Sequence, residues 1–86
     1  MRREVVLITG ANGEIGHGLI HHLGERGDTL IVALDVQPID EDLRPYVYRF
    51  IQGDILDSML LGRLVAEHEI RTIYHLASIL STKAEY

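Results

Sequence analysis

One stretch limits what this chain can fold into more than any other: Val5 to Leu23, VVLITGANGEIGHGLIHHL. Four apolar residues in succession, two of them Val and one Ile, suit a strand buried on both faces. Glycines follow at positions 10, 13 and 16. From there Ile15, Leu19, Ile20 and Leu23 recur at intervals of three and four, the spacing of one helix face. Strand, glycine-rich turn and helix together make a phosphate-binding unit. Gly10 lets the chain turn sharply off the strand, Gly13 leaves a diphosphate room against the backbone, and Gly16 lets the helix lie close to the sheet. The N–H groups and positive dipole end of the helix favour an anionic ligand.

Glycine spacing alone also fits a ligand-free strand-to-helix turn. The triplet here follows a predicted strand and opens a predicted helix, which is the context the motif requires. The spacing is G-x-x-G-x-x-G rather than G-x-G-x-x-G. TGANGEIG at 9–16 resembles the T-G-x-x-G-x-x-G of the short-chain dehydrogenase/reductase superfamily.

The 86 residues hold one small domain, and a 47% hydrophobic content argues against disorder. With no cysteine there is neither a disulfide framework nor thiolate chemistry. Arg2 and Arg3 precede an apolar run that the glycines soon interrupt, so no signal peptide is read there. No apolar stretch approaches the length of a membrane span. A cytoplasmic location is expected. The net charge of −5, with no basic cluster to offset it, argues against nucleic acid as a partner.

In chain order, the first strand is expected at about Val5 to Thr9 and the first helix at about Gly13 to Arg26, with Gly27 as its C-cap. Gly18 and Gly24 inside that helix have no evident reason beyond close approach to the sheet. His17, His21, His22 and Glu25 fall on its polar side. His17 and His21 are four apart and could share a metal ion. No second ligand cluster is visible and a solvated face explains them, so no metal is expected. The second strand, Thr29 to Leu34, ends at Asp35, nineteen residues beyond Gly16. A dinucleotide fold places an acid near there to accept hydrogen bonds from ribose hydroxyls; the alternative is that Asp35 only starts a turn before Pro38.

Val36 to Tyr46 reads as a loop. Its acid run, Asp40, Glu41 and Asp42, is a solvated face or the first turn of a short helix. Val47 to Gln52 is a third strand. Asp57 is a natural N-cap for a helix from Ser58 to about Glu67, with Leu60, Leu61, Leu64 and Val65 as its buried stripe. Arg71 to Ala77 is the fourth strand, with His75 as a hydrogen-bonded core or near-site residue. Right-handed crossovers turn this order into an α/β Rossmann-type parallel sheet, strand order 3-2-1-4, with helices on both faces. Ligands bind such sheets at the carboxyl ends of the strands, beside the topological switch. The glycine turn, Asp35, Asp54 and 77–81 all fall at those ends.

Two later stretches make the resemblance narrower. GDILD at 53–57 is similar to the G-D-x-x-D of the NAD-dependent epimerase/dehydratase family, and YHLAS at 74–78 is similar to its v-x-H-L-A-A, with Ser78 where Ala is commonest. The resemblance implies NAD as cofactor. Its implied contacts are Gly10, Asn12, Gly13, Glu14, Ile15 and Gly16 in the turn, Asp35 and Val36 after the second strand, Asp54 and Ile55 beside the adenine, then Leu76, Ala77, Ser78 and Ser81. HLASILSTKAE at 75–85 further resembles the L-threonine 3-dehydrogenase-like members, which would bring Ser81 near the nicotinamide or the substrate; Ser81 and Thr82 equally fit the start of a surface loop. Sugar-nucleotide epimerases and sugar-acid dehydrogenases of the family stay open.

The family's chemistry depends on a Tyr-x-x-x-Lys pair, the Lys lowering the pKa of the Tyr that acts as acid and base. Tyr46, Tyr48 and Tyr74 are followed four residues later by Phe50, Gln52 and Ser78, and Tyr86 is the last residue given. The resemblance therefore implies that residues 1–86 are the amino-terminal part of a single cofactor domain, with no catalytic residue, the catalytic and substrate regions being absent. The complete enzyme would take NAD(H) and a small-molecule substrate and form a homodimer. A non-catalytic NAD(H)-binding module, or a structural fragment that binds nothing tightly, remain as alternatives.

Overall fold

The computed structural model describes residues 4–76. The elements run β1 (Glu4–Thr9), α1 (Glu14–Arg26), β2 (Thr29–Asp35), a 3₁₀ helix (Glu41–Tyr46), β3 (Arg49–Gln52), α2 (Ser58–His68) and β4 (Thr72–His75). The four strands form one parallel sheet in the order β3-β2-β1-β4, as the crossover argument requires. β1 and β2 are the interior strands, and Leu7, Ile8, Ile31, Val32 and Ala33 are fully buried. This accounts for their unbroken apolar runs: a central parallel strand is covered on both faces.

Alternate residues of each strand feed two cores. Val6, Ile8, Ile31 and Ala33 pack with Ile20 and Leu23 of α1 and with Ile39 and Leu43. Leu7, Val32 and Leu34 face the other way, towards Leu60 and Leu61 of α2. The second core is the thinner of the two. Val65, expected in the buried stripe of α2, is exposed, as are Met59 and Ile73. Ile73 is in register with Leu7 and so stands on this incompletely covered face.

The caps of both helices follow the sequence. Asp57 Oδ1 accepts from the Leu60 N–H at 3.1 Å, and Gly27 closes α1 at a φ of 76°, where glycine is preferred. Just after that cap the Arg26 guanidinium, 2.9 Å from Asp28, holds the Asp28 carboxyl below the usual carboxylate range. The acid run resolves as the first turn of the 3₁₀ helix, whose single buried residue is Leu43.

The buried stripe of α1 is Gly16, Ile20 and Leu23. Ile15, expected within it, is 58% exposed. Successive helical residues turn by about 100°, so a helix seated on Gly16 swings Ile15 out of the contact. Gly16 does permit a close approach, but to the turn itself: a Cβ there would meet the carbonyl oxygens of Ala11 at 2.6 Å and Gly10 at 2.7 Å. Gly24 is explained by Tyr46 of the 3₁₀ helix, whose Cβ and Cγ would lie 2.7 Å from an added Cβ, rather than by the sheet. Gly18 faces open space and nothing in the structure explains it. No helix among the described residues is long and apolar enough to cross a membrane.

Candidate functional site

The chain leaves β1 at Gly10, whose φ of 71° lies in the left-handed region that glycine enters without penalty. The Gly10 and Ala11 N–H groups both donate to the Leu34 carbonyl, at 3.0 and 3.4 Å, which ties the turn to β2. The Gly13 N–H closes the turn on the Gly10 carbonyl at 3.1 Å, and the Gly13 carbonyl accepts the first helical bond, from His17 N–H at 2.9 Å. Gly13 is the N-cap of α1 and has no side chain to cap with. The N–H groups of Glu14, Ile15 and Gly16 sit in the first turn, where an α-helix supplies no internal acceptors. An uncapped helix end of this kind is a site for an anion. Gly13 has a φ of −71°, open to any residue, so its backbone conformation is no reason for glycine.

β2 delivers Asp35 beside this turn. Its Oδ2 accepts from the Asn12 backbone N–H at 3.0 Å, and its Oδ1 from the Gln37 N–H at 2.9 Å. A carboxylate has about four acceptor positions, so each oxygen retains capacity for a hydroxyl donor. The Asn12 side chain secures the neighbouring segment: Nδ2 donates to the Gln37 and Pro38 carbonyls at 3.3 and 2.6 Å, and Oδ1 accepts from the Asp40 N–H at 3.1 Å. Asn12 is thus fully engaged with the chain that follows β2.

β3 completes the site. The Gly53 N–H donates to the Asp35 carbonyl at 2.9 Å, holding the end of β3 against the end of β2. Asp54 Oδ1 accepts from the Leu56 N–H at 2.9 Å and shapes the turn that carries Ile55. Together these strand ends form an open cleft lined by Thr9, Gly10, Leu34, Asp35, Val36, Gly53 and Ile55.

Of the residues singled out from sequence, the cleft brings together Gly10, Asp35, Val36 and Ile55. Gly13, Glu14, Ile15 and Gly16 form the adjoining helix start, with Glu14 and Ile15 exposed. Asp54 is exposed at the edge, and Leu76 packs against the α1-side core. Ala77, Ser78 and Ser81 lie outside the described residues. Thr9, Leu34 and Gly53 also line the cleft; Thr9 and Gly53 stand in the two motifs without being named as contacts, and for Leu34 the available signal is its place at the carboxyl end of a strand. Thr9 Oγ1 also lies 3.4 Å from His75 Nδ1, which makes His75 an exposed residue near the site rather than a core histidine.

A second group of side chains comes together where α1 meets the 3₁₀ helix and its N-cap. His17 Nε2 is 2.6 Å from Asp40 Oδ2, and Asp42 Oδ2 lies 3.7 Å from His17 Nδ1 and 3.6 Å from His21 Nε2. The sequence shows no ligand cluster beside the two histidines; the fold supplies one from the 3₁₀ helix.

A parallel sheet whose first strand ends in a glycine turn, an uncapped helix and an acid at the end of the second strand defines a dinucleotide-binding domain of the Rossmann type. The chain matches the profile of the "NAD dependent epimerase/dehydratase family" over residues 6–86, and it belongs to that family. NAD is accordingly its cofactor, and the residues fit it: an uncapped helix start for a diphosphate, an acid with spare acceptor capacity, and an adjoining cleft.

Among curated proteins the chain is 34% identical over 84 residues to an inactive mitochondrial L-threonine 3-dehydrogenase of Homo sapiens, matching 93% of this chain and 35% of that protein. It is 29% identical over 72 residues to a UDP-glucose 4-epimerase of Azospirillum brasilense, matching 84% of this chain and 21% of that protein. The chain thus spans between about a fifth and about a third of these relatives. Among solved structures it superposes with a TM-score of 0.66 and 28% identity on the epimerase Mth375 of Methanothermobacter thermautotrophicus, over 87% of this chain and 23% of that one. A dTDP-glucose 4,6-dehydratase from Bacillus anthracis, solved in complex with NAD, shares the fold at a TM-score of 0.69 and 24% identity, over 84% of this chain and 26% of that one.

Proposed function

We propose that these 86 residues are the amino-terminal part of a single NAD-binding domain in an oxidoreductase or epimerase acting on a sugar nucleotide or another small hydroxy substrate. The carrying observation is the convergence of the uncapped α1 start, Asp35 and the Gly53–Ile55 turn at the carboxyl ends of β1, β2 and β3. In this reading the N–H groups of Glu14 to Gly16 hold the diphosphate and Asp35 accepts from the ribose hydroxyls. Asp54 and the Ile55 backbone meet the adenine. NAD, when bound, supplies a hydride acceptor for a hydroxyl-bearing carbon. The chain's own part is to bind and orient it. No Tyr-x-x-x-Lys pair stands in the sequence to move the alcohol's proton. A cytoplasmic location and a dimeric complete enzyme go with this reading.

A narrower reading, an L-threonine 3-dehydrogenase-like enzyme, is favoured by the 32% identity to the mitochondrial L-threonine 3-dehydrogenase of Bos taurus and the 34% identity to the human protein named as its inactive counterpart. The matches to UDP-glucose 4-epimerases favour sugar nucleotides. Calorimetric titration of the chain with NAD and with ADP-ribose tests the binding reading. Saturable one-site binding of both is expected, in the high-micromolar to millimolar range. Absence of binding for both would overturn it. Assay of a longer product containing this segment, against L-threonine and UDP-sugars with NAD, separates the two substrate readings.

A further inference from the structure

We infer that His17, His21 and Asp42 form a binding site for one divalent transition-metal ion of the zinc class, outside the dinucleotide cleft. α1 brings the two imidazoles to one face by their four-residue spacing. The 3₁₀ helix, some twenty residues further along the chain, places Asp42 between them. One donor atom from each of the three lies within 4.8 Å of the other two. The Asp42 Oδ2 separations are 3.7 Å to His17 Nδ1 and 3.6 Å to His21 Nε2. Four ligands at tetrahedral zinc distances stand about 3.4 Å from one another. Two edges of the site are therefore within a few tenths of an ångström of the separation an ion would impose.

A second feature is independent of that spacing. His17 Nε2 is 2.6 Å from Asp40 Oδ2. With the Nε2 proton donated to that carboxylate, Nδ1 is the nitrogen that faces Asp42, 3.7 Å from its Oδ2. Metal-binding histidines are oriented and made more basic by such a carboxylate on the outer nitrogen. The His21 ring is braced as well: Tyr46 meets it edge-on, with ring centroids 4.8 Å apart and planes at 65°. Tyr46 is in turn seated on Gly24. Surface ion pairs between half-exposed histidines and acids need none of this convergence, and each contributes little.

The donors set the ion. Two imidazoles and one carboxylate suit zinc, cobalt, nickel or copper, whereas magnesium and calcium seek oxygen. The bound ion would cross-link α1 to the 3₁₀ helix, with its fourth position left to water. The same segment reaches the cleft, because the Asp40 N–H donates to Asn12 Oδ1 and the Asn12 N–H donates to Asp35.

The test uses the untagged 86-residue chain, with Co2+ followed by its visible absorption and Zn2+ followed by calorimetry. One equivalent of each is expected to bind, with Mg2+ in excess leaving the Co2+ spectrum unchanged. His17→Ala, His21→Ala and Asp42→Asn should each weaken Zn2+ at least tenfold, and Asp40→Asn roughly tenfold, in line with losses at such carboxylates. His22→Ala, on the exposed side of the same helix, should bind as the parent does. Circular dichroism checks each variant's fold, and His17→Gln and His21→Gln replace any alanine variant that unfolds. Absence of one-equivalent binding, displacement of Co2+ by Mg2+, or parent-like Zn2+ affinity in a folded Asp42→Asn would overturn the proposal.

Discussion

The backbone N–H of Asn12 donates to the Asp35 carboxylate at 3.0 Å, so the glycine turn and the acid at the end of β2 are hydrogen-bonded directly to one another. They stand twenty-three positions apart in the sequence. The bond fixes Asp35 beside the helix start without using up its acceptor capacity.

Cofactor choice follows from that carboxylate. Val36, Gln37, Pro38, Ile39 and Asp40 offer no cation to a 2′-phosphate, and Asp35 would repel one. NAD should bind more tightly than NADP to the unaltered chain. Asp35→Ala should narrow the gap, chiefly by weakening NAD. Calorimetry with both cofactors on parent and variant measures this, and equal affinities in the parent would refute the role given to Asp35.

Gly13→Val puts a branched side chain at the N-cap of α1, beside the N–H groups assigned to the diphosphate. The φ of −71° at Gly13 accepts valine, so the far-ultraviolet circular dichroism should stay near that of the parent. NAD affinity should fall at least tenfold. Parent-like affinity would show that the diphosphate lies elsewhere.

The interior glycines of α1 should respond in opposite directions. Gly18 is exposed, with nothing within 4 Å of an added Cβ. Gly18→Ala should therefore stabilise the chain by about 0.5–1 kcal/mol through helix propensity and lost unfolded-state freedom. Gly24→Ala drives a methyl into Tyr46, where the crowded atoms include Cβ next to the backbone. The 3₁₀ helix must shift, and overpacking of about 1–3 kcal/mol should outweigh the propensity gain. Thermal melts should rise by a few degrees for the first variant and fall for the second.

Among the described residues β4 pairs on one side only, with β1, and Ile73 and Met59 lie exposed on the α2 face. An open strand edge beside an apolar patch templates association. The 86-residue chain should therefore elute with species larger than a monomer, and should show no NADH production from L-threonine or UDP-sugars. Size-exclusion chromatography with light scattering and an absorbance assay check both; a clean monomer with turnover would contradict the reading of the chain as part of a domain.

The sheet was legible because its signals are local or follow from chain handedness. The runs VVLI and TLIVAL, the glycine turn, Asp57 as a cap and Gly27 as a terminator each act within a few residues. Right-handed crossovers then leave the order 3-2-1-4. The same local signals put Asp35 at a strand end and Gly10 at a sharp turn, the two residues at the heart of the cleft. Less legible was which face of a helix ends up covered. Ile15 and Val65 carry the apolar character of a buried stripe but are exposed, because coverage depends on where the neighbouring element stands.

By itself the sequence determined the strand–turn–helix unit, the parallel order and the acid at the end of β2, since periodicity, caps and glycine φ values are properties of short segments. Only the tertiary structure decided what Gly24 accommodates, that Asn12 ties the turn to the segment after β2, and that Asp42 stands between His17 and His21. Each of these is a contact between segments far apart in the chain. Their separations are set by how α1 and the 3₁₀ helix pack over one face of the sheet, and no pattern of neighbouring residues encodes that distance.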